Sequence, residues 1–169
     1  MGGDGMRREV LIVAGCQAGL IAVAGLAAWS TREPLIFASL GPTAFELIET
    51  PTRATARPYN IIGGHLIGVL AGFTGLYLAH AAAAPVPSPE HVALARVGAA
   101  VLAAMFTVLG TLLARAGQPA AISTALLISL GGMQTPRDGA LIMVAVCLMT
   151  LVGEPLRRWR AVEMLANAP

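Results

Sequence analysis

From Val10 to Trp29 the chain reads VLIVAGCQAGLIAVAGLAAW, twenty residues without a formal charge, preceded by Arg7 and Arg8. A helix rises about 1.5 Å per residue, so a run of this length crosses the roughly 30 Å hydrocarbon layer of a bilayer. A cleaved export signal shares the basic start and apolar centre, but its apolar run is shorter, and here five more apolar segments follow. They lie near residues 34–48, 60–83, 92–114, 118–133 and 139–153. The segments 10–29, 60–83 and 92–114 are long enough to span unaided, whereas the other three suit short, broken or re-entrant helices. Only 12% of the 169 residues are charged, about half the share of a soluble domain, which excludes a single water-facing fold. A strand barrel would need many short alternating strands that the sequence lacks. The expected fold is therefore an all-α polytopic membrane protein of six apolar helical segments, one membrane domain over residues 1–169.

Between the segments lie STRE (30–33), TPTRATARPY (50–59), APVPSPEH (84–91) and MQTPRD (133–138). All 11 positive side chains are arginines, scattered among apolar runs and not gathered on one face, so a nucleic-acid partner is not expected. Six crossings with both termini in the cytoplasm place Arg7, Arg8, Arg53, Arg57, Arg115, Arg157, Arg158 and Arg160 inside, and Arg32 and Arg137 outside. Arg96 falls near the outer end of the fourth segment. That bias follows the positive-inside rule and points to a multi-pass protein of the cell membrane, the inner one where a cell has two. Four full crossings would also leave the termini together. Trp29 and Trp159 read as interfacial anchors.

The two halves echo one another at an offset of 85 residues: Gly25 with Gly110, Pro34 with Pro119, Thr50–Pro51 with Thr135–Pro136, and Gly68 with Gly153. The halves, 10–83 and 92–155, each read as a long segment, a proline-started short one and a third. With three crossings apiece they form an inverted repeat of the transporter kind, with short or broken second and fifth segments. Gly68, Gly72 and Gly75 mark a close-packing face, used within the chain or, less readily, in a homo-oligomer. Cys16 and Cys147 read as small buried residues in apolar segments.

Polar residues inside such segments need reasons. The second segment is interrupted by Gly41–Pro42, and a proline there kinks a helix or starts a new one. A helix beginning at Pro42 places Ser39 and Gly41 beside free backbone amides able to hold an anion; a packing kink is the plainer account. The second half repeats the arrangement with Gln118 before Pro119, and with Ser123 and Thr124 one turn on. In RPYNIIGGHLIG (57–68), Asn60 can cap the entering helix, while Gly63 and Gly64 admit a neighbouring backbone. His65 lies a turn and a half deep, where it can donate to an anion, relay a proton or bond a neighbouring helix. Glu46 is either a protonatable gate or half of a salt bridge, and Glu49 pairs with Arg53 or Arg57 or meets solvent. Gln17 suits a helix–helix hydrogen bond. His80 and His91 make no zinc-like spacing.

The runs ASLGPTAFELI and ARPYNIIGGHLIG, with QPAAISTALLISLGG further on, resemble the HPP family of small integral membrane proteins over about residues 10–155. Ser39 and Gly41 match a serine–phenylalanine–glycine pattern in which Leu40 replaces the aromatic residue. Arg57, Pro58, Asn60, Gly63, Gly64 and His65 match the arginine–proline–asparagine and glycine–glycine–histidine pattern. In the motif that names the family, Pro119 and Ala120 match, but Gly117 and Gln118 stand at the histidine and first proline positions. The resemblance implies four membrane-spanning helices, and its plant members resemble nitrite transporters of the chloroplast envelope.

The expected function is transport of a small anion, with nitrite the named candidate. Ser39, Gly41, Asn60, Gly64, His65, Pro119 and Ser123 are the expected binding residues, between halves that move against each other. His65 and Glu46 are candidates for proton coupling. The rivals are an anion channel and a non-transporting membrane scaffold or regulatory subunit. No paired-carboxylate metal centre, nucleophile triad or nucleotide loop is present, so neither an enzyme nor a metal or cofactor is expected.

Overall fold

The computed structural model describes residues 3–166; residues 1–2 and 167–169, the ends of the expected single domain, lie outside the described residues. Six α-helices follow one another: α1 (Gly3–Thr31), α2 (Leu40–Glu49), α3 (Pro58–Leu78), α4 (Leu94–Leu113), α5 (Ala120–Ser129) and α6 (Pro136–Ala166), with a single 3-10 turn at Ala54–Ala56. Four of them, α1, α3, α4 and α6, are long and apolar enough to cross a membrane, and α5 is a shorter apolar helix. Leu11, Leu113 and Leu151 on the outside of the bundle are each more than 70% exposed, the inside-out arrangement expected where lipid is the solvent.

The polar contacts define two ends. At one, Arg160 of α6 bonds Glu9 of α1 and the Ile48 carbonyl at the close of α2, and Arg157 bonds the Pro51 carbonyl at 2.7 Å. The Tyr59 hydroxyl there donates to the Ala114 carbonyl at 2.9 Å, bringing the start of α3 to the end of α4. At the other end Arg137 pairs with Glu33, and Arg96 bonds the Ala84 and Ser129 carbonyls. Both described ends of the chain therefore lie at one face of the bundle. Residues 34–39 descend from the opposite face without helix, and α2 finishes that crossing. Residues 116–119 likewise run without helix before α5 climbs back.

The short helices break where the sequence lacks means to continue. Pro34 and Pro42 bracket the non-helical stretch, and α2 starts at Leu40, two residues ahead of Pro42, which sits in the first turn where its missing amide costs nothing. The helices α1, α3 and α4 stop at residues in the left-handed conformation, Arg32 (φ 57°), His80 (φ 51°) and Arg115 (φ 51°), whereas α5 stops at Gly131 (φ 99°). After His80, the Ala81 amide reaches back to the Leu76 carbonyl at 2.9 Å; the Ala116 amide does the same to Thr111, as C-capping turns require.

Three expectations are corrected. The sixth segment does not end near residue 153: α6 runs on through Pro155 to Ala166. Past residue 153 the charge of Glu154 is paired along the helix, by Arg157 at 2.6 Å and Arg158 at 2.6 Å. Cys147 is exposed on the bundle surface, not buried. The third segment ends at Leu78, not at residue 83, because His80 turns the chain.

The glycines of α3 seat α5 and α4. A Cβ at Gly64 would stand 2.5 Å from the Gln118 Cβ, one at Gly68 would overlap the Ala121 carbonyl, one at Gly72 would meet the Ile128 Cβ at 2.9 Å, and one at Gly75 the Ala99 carbonyl at 2.5 Å. In α6, Gly153 receives Leu47 of α2 in the same manner. Each short helix thus packs on the third helix of the other half, α2 on α6 and α5 on α3. If α1 is exchanged with α4, α2 with α5 and α3 with α6, the principal contacts among the six helices map onto themselves. The packing units are consequently α1–α2–α6 and α3–α4–α5, which cut across the halves read from the sequence.

The two ends are open to test. With Cys16 and Cys147 replaced by alanine, single cysteines at Thr52 and Ser88, both exposed, are expected to react with a membrane-impermeant maleimide from opposite sides of the membrane. Labelling of both from one side would contradict this arrangement.

Candidate functional site

Where the non-helical stretch before α2 reaches the interior, four polar side chains close on one another. His65, on α3, is fully buried; its Nε2 lies 2.9 Å from Thr43 Oγ1 and its Nδ1 2.7 Å from Thr124 Oγ1. Thr124 Oγ1 in turn lies 2.8 Å from Ser39 Oγ, and Thr43 Oγ1 donates to the Ser39 carbonyl at 3.1 Å. Ser39, Thr43 and Thr124 are each no more than 1% exposed. Ser39 and Thr124 are 85 residues apart, the offset of the sequence echo, so matched positions of the two halves meet here.

Counting hydrogens favours one tautomer. Thr43 gives its hydrogen to the Ser39 carbonyl, so it accepts from His65, and Nε2 carries the proton. Nδ1 then accepts from Thr124, and Thr124 accepts from Ser39. The circuit runs from the Ser39 hydroxyl through Thr124, both ring nitrogens and Thr43 back to the Ser39 carbonyl, with every hydrogen placed. In the opposite tautomer Nδ1 donates to Thr124 and Thr43 donates to Nε2; the Thr124 hydrogen then turns to Ser39 Oγ, stranding the Ser39 hydrogen, or to the Ala120 carbonyl at 3.5 Å, a stretched bond. A buried polar group without a partner costs about 1–3 kcal/mol, which favours the first arrangement.

The structure brings Ser39 and His65 together and adds Thr43 and Thr124. Ser123 lies beside Thr124 but outside the circuit. Gly41 faces open space, and Pro119 is exposed at the cap of α5. The Asn60 amide donates to the Gly117 carbonyl at 3.1 Å, and Gly64 gives Gln118 its room, so both set the position of the chain entering α5. The backbone amides expected at the helix starts already have acceptors. Leu40 and Gly41 bond the Phe37 and Ala38 carbonyls, and Ala120 takes the Gln118 Oε1 at 3.2 Å. What the helix breaks contribute directly is the hydroxyl of Ser39, not vacant amides.

Glu46 lies one turn beyond Thr43 on the same side of α2, toward the end that holds the described termini. Thr55 and Gln118 flank it, and its Oε2 and the Thr55 hydroxyl are buried without hydrogen-bond partners. A separate groove of about 520 Å³ opens between α3 and α6, lined by Pro58, Ile62, Cys147, Thr150 and Arg158 among others. It does not include His65, although the echo of His65 (65 + 85) is Thr150 on its wall.

The sequence reading missed Thr43, which follows directly on the Gly41–Pro42 break, and named Thr124 but chose its neighbour Ser123 for the site. In α5 every face is apolar, so periodicity cannot choose between adjacent hydroxyls.

A family model described as HPP, transmembrane region, matches residues 4–156. No curated protein and no solved structure matches the chain.

Proposed function

The chain belongs to the HPP transmembrane family, and from that membership together with the hydroxyl-flanked imidazole we propose that it carries a small anion, nitrite the named candidate, across the bilayer in company with a proton. The single observation behind this reading is that both ring nitrogens of the fully buried His65 are engaged by hydroxyls, one of which also holds Ser39 at the break before α2. An isolated ion in such an interior would cost of order tens of kcal/mol by Born solvation, so an anion needs a cation beside it. Protonation of His65 supplies one.

The hydrogen count supplies the coupling. A proton on Nδ1 obliges Thr124 to turn its hydrogen away. The nearest acceptor is Ser39 Oγ at 2.8 Å, whereas the Ala120 carbonyl is 3.5 Å away, at the limit of a hydrogen bond. The Ser39 hydrogen is then left without an acceptor, and an anion oxygen provides it. Proton and anion each complete what the other leaves unsatisfied. Glu46, with its unpartnered Oε2, is the proton's stop between the face bearing the termini and Thr43. Ser123, Gly41 and Pro119 border the ligand's path, while Asn60 and Gly64 fix the backbone that carries Gln118 and Thr124. Eight arginines gathered at the face of the termini support a cytoplasmic orientation of that face in a cell membrane, by the positive-inside rule. The units α1–α2–α6 and α3–α4–α5 are the bodies that move, and no bond of the ligand is made or broken.

Uptake of nitrite, nitrate, chloride and acetate into proteoliposomes, with and without an inward proton gradient, tests the reading. Nitrite uptake accelerated by the gradient is expected. Absence of nitrite uptake in correctly inserted vesicles removes that substrate, absence of any anion movement removes transport, and unitary currents would make the protein a channel.

A second reading, a non-transporting scaffold assembled through α1, is favoured by one observation. Gly15 and Gly19 face open space in a small-xxx-small spacing on the outside of the bundle. Stable dimers without flux would favour it.

A further inference from the structure

Each short helix has its carbonyl end capped by a fully buried arginine, but the two arginines are not alike. Arg160, at the end of α2, has carboxylates from Glu9 and Glu163. Arg96, at the end of α5, has none: among the described residues no carboxylate pairs with it. Its Nε bonds the Pro85 carbonyl at 3.3 Å, Nη1 the Ser129 carbonyl at 3.1 Å, and Nη2 the Ala84 carbonyl at 2.7 Å and the Gln134 Oε1 at 3.2 Å. All four acceptors are neutral. Gly131 is held against the guanidinium so closely that a Cβ would lie 2.9 Å from Cζ. The partial negative charge of a helix end offsets only about half of a guanidinium's unit charge.

We propose that Arg96 is a specificity-determining residue that biases the His65 site toward anions through its unneutralised charge. The inference rests on the transport reading and names what selects the sign of the cargo. Arg96 bonds Ser129 and His65 bonds Thr124, five positions apart on α5, an axial separation of roughly 7–8 Å. At a distance of about 10 Å and an effective dielectric of about 20, one unneutralised charge changes the affinity for a monovalent ion on the order of tenfold. At the opposite end the capping Arg160 is paired with Glu9 and Glu163, so of the two buried capping arginines Arg96 is the one that carries an unpaired charge. The arginine's hydrogen bonds are a separate matter from its charge, and one neighbour separates them: Gln134 already accepts from Nη2, and Gln134→Glu would neutralise Arg96 while keeping that contact.

The experiment compares the parent protein with Gln134→Glu, Arg96→Gln and Arg96→Lys in proteoliposomes, using nitrite as the probe and reading KM alongside thermal stability in detergent. Gln134→Glu and Arg96→Gln are expected to raise KM about tenfold. Arg96→Lys, which keeps the charge and loses the fork, should lower stability but leave KM within about threefold of the parent. Should Arg96→Gln fail to fold, Gln134→Glu decides alone. An unchanged KM in Gln134→Glu, or Arg96→Lys behaving as Arg96→Gln, overturns the role of Arg96 while leaving transport intact. A parent protein that moves no anion overturns both.

Discussion

Gly68→Leu is expected to destroy the folded bundle, lowering its stability by more than about 3 kcal/mol and scattering the protein on size-exclusion chromatography. The position admits no relief. A Cβ alone would overlap the Ala121 carbonyl, which belongs to helical backbone and cannot rotate away as a side chain might. Three more carbons would force α3 from α5 along the stretch that carries both His65 and Thr124. Gly117→Ala is the control, since nothing lies within 4 Å of a Cβ there. Thermal unfolding followed by tryptophan fluorescence reads the difference, and equal melting temperatures for the two variants would refute the account of the α3 glycines as a seat for α5.

His65→Gln carries the second large effect, on transport more than on the fold. Glutamine can donate to Thr43 but leaves Thr124 without its Nδ1 acceptor, a loss of about 1–3 kcal/mol for one buried hydroxyl. It cannot take up a proton in the physiological range. Proton-driven nitrite uptake is therefore expected to fall at least about a hundredfold, and any remaining uptake should lose its response to the proton gradient. Thr124→Ser, which keeps the hydroxyl, should retain much more. Gradient-driven uptake that survives in His65→Gln would take the imidazole out of the mechanism.

Much of this was legible in the residues themselves. Long uncharged runs set the membrane class, and His65 stood out because a lone imidazole in apolar sequence must find partners. The Gly41–Pro42 and Gln118–Pro119 pairs announced helix starts because proline offers no amide to a continuing helix. What the sequence hid depends on neighbours distant along the chain. The seating of α2 on α6 depends on Leu47 meeting Gly153, a contact that no local pattern encodes. Four spanning helices and six apolar segments are likewise compatible: four helices are long, and the remaining two crossings are part helix and part extended chain.

The interlaced seating of the short helices has a consequence for biogenesis. As a ribosome delivers this chain, α3, α4 and α5 emerge consecutively and can settle against one another at once. The pair α1–α2, although made first, meets its main helical partner only when α6 leaves the exit tunnel. Until then its apolar seat for α6, which includes Leu47, stays uncovered in the translocon or among lipids. Truncation anywhere in the last helix should therefore orphan the beginning of the protein, and a quality-control protease would meet the amino-terminal segment first.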